Sequence, residues 1–407
     1  FSTLLVGVWV IRYLGPSDYG ILAYALSFVA LFSVISSLGL DELVIRELVK
    51  YKDDSDKLIG TVFLLKLMGA FGVLVILAVV TNVTSQDYNT KSLIFIIASA
   101  VIFQSFNVAD LYFQSKVMSK YVAYSNIISL FVTSLIKIFL IRYNASIIAF
   151  AWVILFESFI LALTLIYFFL KNSKLKIQNL SFSKHVATSL LRDSWPLLLS
   201  SFVIMIYMKI DQIMIKEILG NEAVGQYAAA VKLSEAWYFI PIAILSSVFP
   251  AIINAKKESE KLYYARLQKL YDLMVWMAFA IAIPMTFLSD WLVNLLYGSE
   301  YSQAGSVLVI HIWTAVFVFL GVASSKWFIV ENLQVLSFWR TFAGMIVNLI
   351  LNYIFIPKYG IQGAAVATLF SQAMAAYLFD ILNSKTRKMF YMKSKTILLT
   401  SLVNNNK

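Results

Sequence analysis

The stretch Leu58–Asn82, LIGTVFLLKLMGAFGVLVILAVVTN, runs for 25 residues with a single charge, Lys66. About 20 mostly apolar residues suffice to cross a bilayer as a helix, and the stretch exceeds that. Working outward, similar apolar segments stand at about 1–14, 18–42, 92–113, 119–141, 145–170, 194–218, 222–252, 268–289, 304–330, 336–356 and 361–383. With 58–82 they make twelve. Backbone polar groups in hydrocarbon must be bonded within their own segment, so these runs are expected to be helices. The composition agrees: of 407 residues, 60% are hydrophobic and 14% charged, with a mean hydropathy of +0.80. Short connectors leave no room for a large soluble domain. The first segment begins at Phe1 without a basic lead-in, so the numbered chain is expected to be trimmed at its start.

Without cysteine, thiolate catalysis and thiolate metal sites are excluded; two distant histidines, His185 and His311, make a His-based metal cluster a poor expectation. No phosphate-binding GxxxxGK[ST] loop occurs. Neither an enzyme nor a cofactor is expected. The net charge of +11 has a topological explanation. If the N-terminus is cytoplasmic, only Lys91, Arg142 and Lys358 of the 33 Lys and Arg fall on outside connectors. The inside connectors and the tail collect most of the rest, as the positive-inside rule requires. Both termini are then cytoplasmic, and nucleic acid is not an expected partner. The longest connector, near 171–192, is basic and reads as an amphipathic stretch lying on the surface.

An internal repeat divides the chain. LGPSDYGILAYA (Leu14–Ala25) and LGNEAVGQYAAA (Leu219–Ala230) both fit LGxxxxGxxAxA, and YNASIIAFA (Tyr143–Ala151) is echoed by YGIQGAAVA (Tyr359–Ala367). Each pair falls at equivalent outside turns of two six-helix halves. The expected fold is therefore an all-α integral membrane protein of twelve transmembrane helices, in two six-helix lobes related by a parallel repeat, a common transporter plan. The expected divisions are an N-terminal lobe (1–170), a basic cytoplasmic connector (171–192), a C-terminal lobe (193–383) and a basic cytoplasmic tail (384–407).

RYLGPSDYGILAYALSF (Arg12–Phe28), GLDELVIREL (Gly39–Leu48), the long run Ile210–Ile252 and LYGSEY (Leu296–Tyr301) carry a family likeness. In these residues the chain resembles the Wzx-type, or O-antigen, flippases of the multidrug/oligosaccharidyl-lipid/polysaccharide exporter superfamily. The resemblance implies two helical bundles around a central cavity in a bacterial inner membrane. It also implies transport of an undecaprenyl-pyrophosphate-linked oligosaccharide for O-antigen, lipopolysaccharide or capsule synthesis, with other polysaccharide assembly proteins as partners. Lipid II flippases usually carry two more helices, and only a feeble apolar run follows at 396–403.

Charges at membrane depth are the first candidates for a site. Lys66, Glu157, Lys209, Asp211, Lys232 and Glu235 lie well inside apolar segments. Lys209 and Asp211, two apart on one helix, project about 200° apart and cannot satisfy each other, whereas Lys232 and Glu235 share a face. Either the six pair off and fix the bundle, or Lys209, Lys232 and Lys66 grip a pyrophosphate while Asp211, Glu235 and Glu157 serve as charge partners or exchange a coupling proton. Arg46, on the first inside connector, could meet the phosphate on entry. Tyr207 and Trp237 are deep aromatic candidates for sugar contact, and His311 could titrate or simply pack. A drug or cation exporter of the same superfamily and a membrane polysaccharide polymerase are the rival expectations; the short outer connectors weigh against the polymerase.

Overall fold

The computed structural model describes residues 2–50, 55–84, 87–173 and 180–398. Every regular element in them is helical, and they divide into two compact units, residues 1–209 and 210–407. The first unit holds α1 (Ser2–Ser37), α2 (Asp41–Lys50), α3 (Ser55–Val83), α4 (Tyr88–Gln104), α5 (Val108–Ser115), α6 (Lys120–Arg142), α7 (Ile147–Asn172) and most of α8 (Lys184–Leu219). The second holds the end of α8, then α9 (Asn221–Glu235), α10 (Phe239–Glu258), α11 (Glu260–Tyr297), α12 (Ser302–His311), α13 (Thr314–Val330), α14 (Gln334–Ala376) and α15 (Arg387–Ile397). Nine helices among the described residues are long and apolar enough to cross a membrane. A tenth is gained if Ser299–His311 and Thr314–Val330, bent by 49°, count as one. The protein is thus an all-α, multi-pass membrane protein. The boundary between the units falls inside α8.

Two of the nine spans are broken by left-handed glycines. Gly15 (φ 71°) interrupts α1, and Gly360 (φ 62°) interrupts α14. Their repeat mates behave alike: Gly220 (φ 90°) separates α8 from α9, and Asn144 (φ 51°) separates α6 from α7. An L side chain at such φ costs roughly 1–2 kcal/mol, so glycine, or asparagine at need, is the residue that lets the chain reverse there. Both sequence repeats are therefore repeats of a backbone turn.

Local sequence sets the helix starts. Asp87 caps α4 by accepting the Thr90 N–H (3.0 Å) and its hydroxyl (2.6 Å), and Ser259 caps α11 by accepting the Leu262 N–H (3.1 Å). Pro241 lies in the first turn of α10, where no intrahelical N–H bond is lost. In the first unit, Leu40, Val44 and Leu48 pack with Leu58, Val62, Phe113, Phe169 and Leu190. In the second, Leu270, Met274, Phe319 and Trp327 form a core with Met389 and Met392 of α15.

That last contact concerns the expected basic tail. Residues 387–397 are a helix laid on α11, with Gln268 donating to the Met392 carbonyl (3.2 Å) and to Thr396 (2.8 Å). Lys393 on it is fully buried, donating to Asp380 (2.7 Å), to the Ala376 carbonyl (2.7 Å) and to Ser324 (3.2 Å). A lysine without water needs such acceptors and a counter-charge. Of the connector expected at 171–192, residues 174–179 lie outside the described residues, as do 399–407 of the tail; residues 184–192 are the first turns of α8 rather than a separate surface stretch.

Candidate functional site

Asp211 lies on the last turns of α8 and is buried. Three side chains donate to its carboxylate: Tyr227 of α9 (2.8 Å), Thr368 of the second half of α14 (2.6 Å) and Asn352 of its first half (2.6 Å). Asn352 also donates to Asn348 (3.0 Å), which donates to Ser371 (3.4 Å), while Tyr227 and Thr368 lie 3.1 Å apart. Asn348, Asn352 and Ser371 are fully buried. No lysine, arginine or histidine is ion-paired with Asp211 among the described residues.

A carboxylate in hydrocarbon is expensive, and the usual relief is a cation. Here relief comes from neutral donors on three helical segments, α9 and the two halves of α14. The result is a sealed oxygen-rich shell around one ionisable group, with the Asn352 Oδ1 acceptor lacking a hydrogen bond. Hydroxyls and carboxamides can turn either a hydrogen or a lone pair toward the acid. The shell therefore suits a group that alternates between anionic and neutralised forms.

The other sequence candidates separate. Lys66 is buried on α3 and is bound to Asp41 at the start of α2 (2.5 Å), so it is not presented as an open cation for a phosphate. Glu157 of α7 is half-buried and paired with Lys137 of α6 (2.9 Å), while its backbone carbonyl accepts the Ser129 hydroxyl (2.8 Å). Two of the six deep charges are thus satisfied by partners outside the six. Lys209 is half-buried on α8, Lys232 is exposed and Glu235 half-buried on α9. Arg46 is exposed and held by Glu47 (3.0 Å). Tyr207 is buried in α8, and Trp237 is half-buried in the turn before α10. His311 ends α12 with its ring edge-on to Tyr227, 6.1 Å between centroids, and its carbonyl accepts from Ser234 and Thr314. It packs beside the Asp211 shell without bonding to it.

Sequence reasoning found Asp211 but missed Tyr227, Asn348, Asn352, Thr368 and Ser371. One signal was present. Asn348 and Asn352 stand four apart in an otherwise apolar run, and so on one helix face.

Residues 3–256 match the family described as Polysaccharide biosynthesis protein. The chain belongs to the polysaccharide biosynthesis protein family. A second match, to MatE, covers residues 196–354 and so includes Asp211, Tyr227, Asn348 and Asn352. This family member is 27% identical over 176 residues to the Probable low-salt glycan biosynthesis flippase Agl15 of Haloferax volcanii, across 42% of this chain and 37% of that protein. It is 22% identical over 181 residues to the Capsular polysaccharide biosynthesis protein CapF of Staphylococcus aureus, across 44% and 46%. The chain spans less than half the length of these curated relatives. Among solved structures, an inward-facing multidrug resistance MATE family transporter of the MOP superfamily superimposes with a TM-score of 0.77 at 14% identity, covering 97% of this chain and 95% of that one. Lipid II flippase MurJ, in an inward closed conformation, gives 0.77 at 15% identity, covering 100% and 91%.

Proposed function

We propose that the protein is a flippase that moves a lipid-linked glycan across a membrane, with Asp211 as the group that takes up and releases a coupling proton or small monovalent cation. One observation carries the transport reading: a buried carboxylate on α8 held by neutral donors from α9 and both halves of α14. A structural acid would be expected to hold a basic partner, as Glu157 holds Lys137. Membership of the polysaccharide biosynthesis family and the printed names of the Haloferax and Staphylococcus relatives support a glycan as cargo.

In the finer reading the cargo is an undecaprenyl-pyrophosphate-linked oligosaccharide for O-antigen or capsule. The membrane is then a bacterial inner membrane, with both termini cytoplasmic. The breaks at Gly15 and Gly360, each dividing a long span, support a count of twelve helices, and the repeated left-handed turns support two parallel six-helix halves. Lys209 and Lys232 are the proposed grip on the pyrophosphate. Neutralising both abolishes transport while the protein still inserts; full transport by a stably expressed double variant rejects that grip.

A second reading, a multidrug or cation exporter, is favoured by the MatE match over the segment that contains Asp211. Cells lacking the protein separate the two. A flippase leaves lipid-linked glycan trapped in the inner leaflet and drug tolerance unchanged, whereas an exporter leaves glycan at the surface and lowers drug tolerance.

A further inference from the structure

The charge pattern of α11 fixes the depth at which α15 lies. Residues 273–289 carry no charge, whereas residues 260–272 carry five, Glu260, Lys261, Arg266, Lys269 and Asp272. At 1.5 Å per residue the 38 residues of α11 extend about 57 Å, well beyond a hydrocarbon core of about 30 Å. Its charged first turns therefore stand in the polar boundary of the membrane. α15 is laid against those turns. Lys388 lies over the Tyr264 ring, Tyr271 donates to the Met389 sulfur (3.4 Å), and Thr396 donates to Asp272 (2.7 Å).

The helix has two opposite faces. Met389, Met392, Lys393 and Thr396 are buried, while Arg387, Tyr391 and Lys395, with Leu398 just past the end, repeat at helical spacing on the far side and are exposed. Lys385 and Lys388 are exposed beside them, and no acid occurs between Ile381 and Leu398. Lys388 is held by Glu260 (3.9 Å). The side chains of Lys385 and Arg387 make no ion pair or hydrogen bond among the described residues. Their backbone is anchored all the same. Tyr377 stacks on Phe390 with 4.8 Å between centroids, its hydroxyl lies 2.8 Å from that of Ser394, and Lys393 ties α15 to Asp380 and Ser324. The outward cations therefore stand on a fixed helix rather than on a loose tail.

We propose that the outward face of α15 binds the headgroups of anionic phospholipids in the leaflet where it lies. Lys385 and Arg387 supply unpaired positive charge, and the arginine fork matches a phosphate. Tyr391, 58% exposed between cations, has the amphipathic ring that settles at headgroup level. Leu398, 70% exposed, reaches toward the acyl boundary. A short helix with cations and apolar groups so arranged lies in the interface plane, where one surface offers it both phosphate and hydrocarbon. In the proposed topology this is the cytoplasmic leaflet, whose surface is negative. The assignment depends neither on what the protein carries nor on the Asp211 shell.

The chain has no cysteine, so Leu398→Cys gives a single thiol for a bimane label. The test places the labelled full chain in phosphatidylcholine nanodiscs and compares quenching by nitroxide-bearing phosphatidylglycerol and phosphatidylcholine at equal mole fraction. Quenching by phosphatidylglycerol should be stronger by about threefold or more, and the difference should shrink in roughly 1 M salt. In the double variant Lys385→Gln, Arg387→Gln it should fall to the phosphatidylcholine level with the unfolding temperature unchanged, because both side chains are exposed. A label at Phe287→Cys, exposed in the uncharged run of α11, should be quenched equally by the two lipids. Equal quenching of the Leu398→Cys label by both lipids, no quenching by either, a preference that survives the double variant, or the same preference at Phe287→Cys overturns the proposal.

Discussion

Asn352 donates to Asp211 across 2.6 Å and 141 residues of chain, joining the end of α8 to the first half of α14. Asp211→Asn keeps the shape and burial of that side chain but cannot ionise. We expect at least a tenfold loss of glycan transport with little change in thermal unfolding temperature. Transport assays on reconstituted vesicles check this, and parent-like rates would remove Asp211 from the coupling role. Asp211→Ala should be worse for folding, since three buried donors lose their acceptor at a cost of roughly 1–3 kcal/mol apiece.

The Lys66–Asp41 pair is unequal. The lysine side chain is 6% exposed and the aspartate 52%. Removing the aspartate strands a buried charge, at a cost of about 3 kcal/mol, whereas Lys66→Met leaves a carboxylate that water can reach. Thermal unfolding in detergent should therefore fall clearly for Asp41→Asn and much less for Lys66→Met. Transport by Lys66→Met should survive, which distinguishes a structural lysine from a substrate-gripping one.

Gly220 has open space around the position of a Cβ, so substitution there tests the backbone alone. With φ at 90°, Gly220→Ala should lose about 1–2 kcal/mol. Gly72, equally open but inside α3 with ordinary helical geometry, should give the opposite sign, a gain of about 0.5–1 kcal/mol on Gly72→Ala. Equal effects at the two sites would refute the turn as the reason for the repeated glycine.

Burial lowers the Lys393 ammonium to about 8, against the attraction of Asp380, which raises it. Between about 8 and the ordinary lysine value of 10.5 the unfolded chain binds a proton that the folded one has released, so stability rises with pH across that window and is flat below it. Unfolding of the parent should shift upward between pH 7.5 and about 9.5, and Lys393→Met should abolish that shift.

The repeat in the chain was legible because both its copies fall on residues that the backbone itself requires, Gly15 with Gly220 and Asn144 with Gly360. Asp211 was legible because a charge inside an apolar run stands out. Its shell was not, because Tyr227, Asn352 and Thr368 are neutral residues that join it only through tertiary packing. The docking of residues 387–397 was hidden for a related reason. Arg387, Lys388 and Lys395 dominate the composition, while the buried face of Met389, Met392, Lys393 and Thr396 shows only at helical spacing. Lys66 and Glu157 stood out equally, and sequence alone could not say that Asp41 and Lys137 had already claimed them.

The hydroxyls of Tyr227 and Thr368 lie 3.1 Å apart, each within reach of the same Asp211 oxygen. Rotation about two C–O bonds is enough to reverse which atoms give hydrogens and which receive them. In the proposed coupling role, a change of ionic state at that carboxylate is thus accommodated on the spot, before any helix has to move.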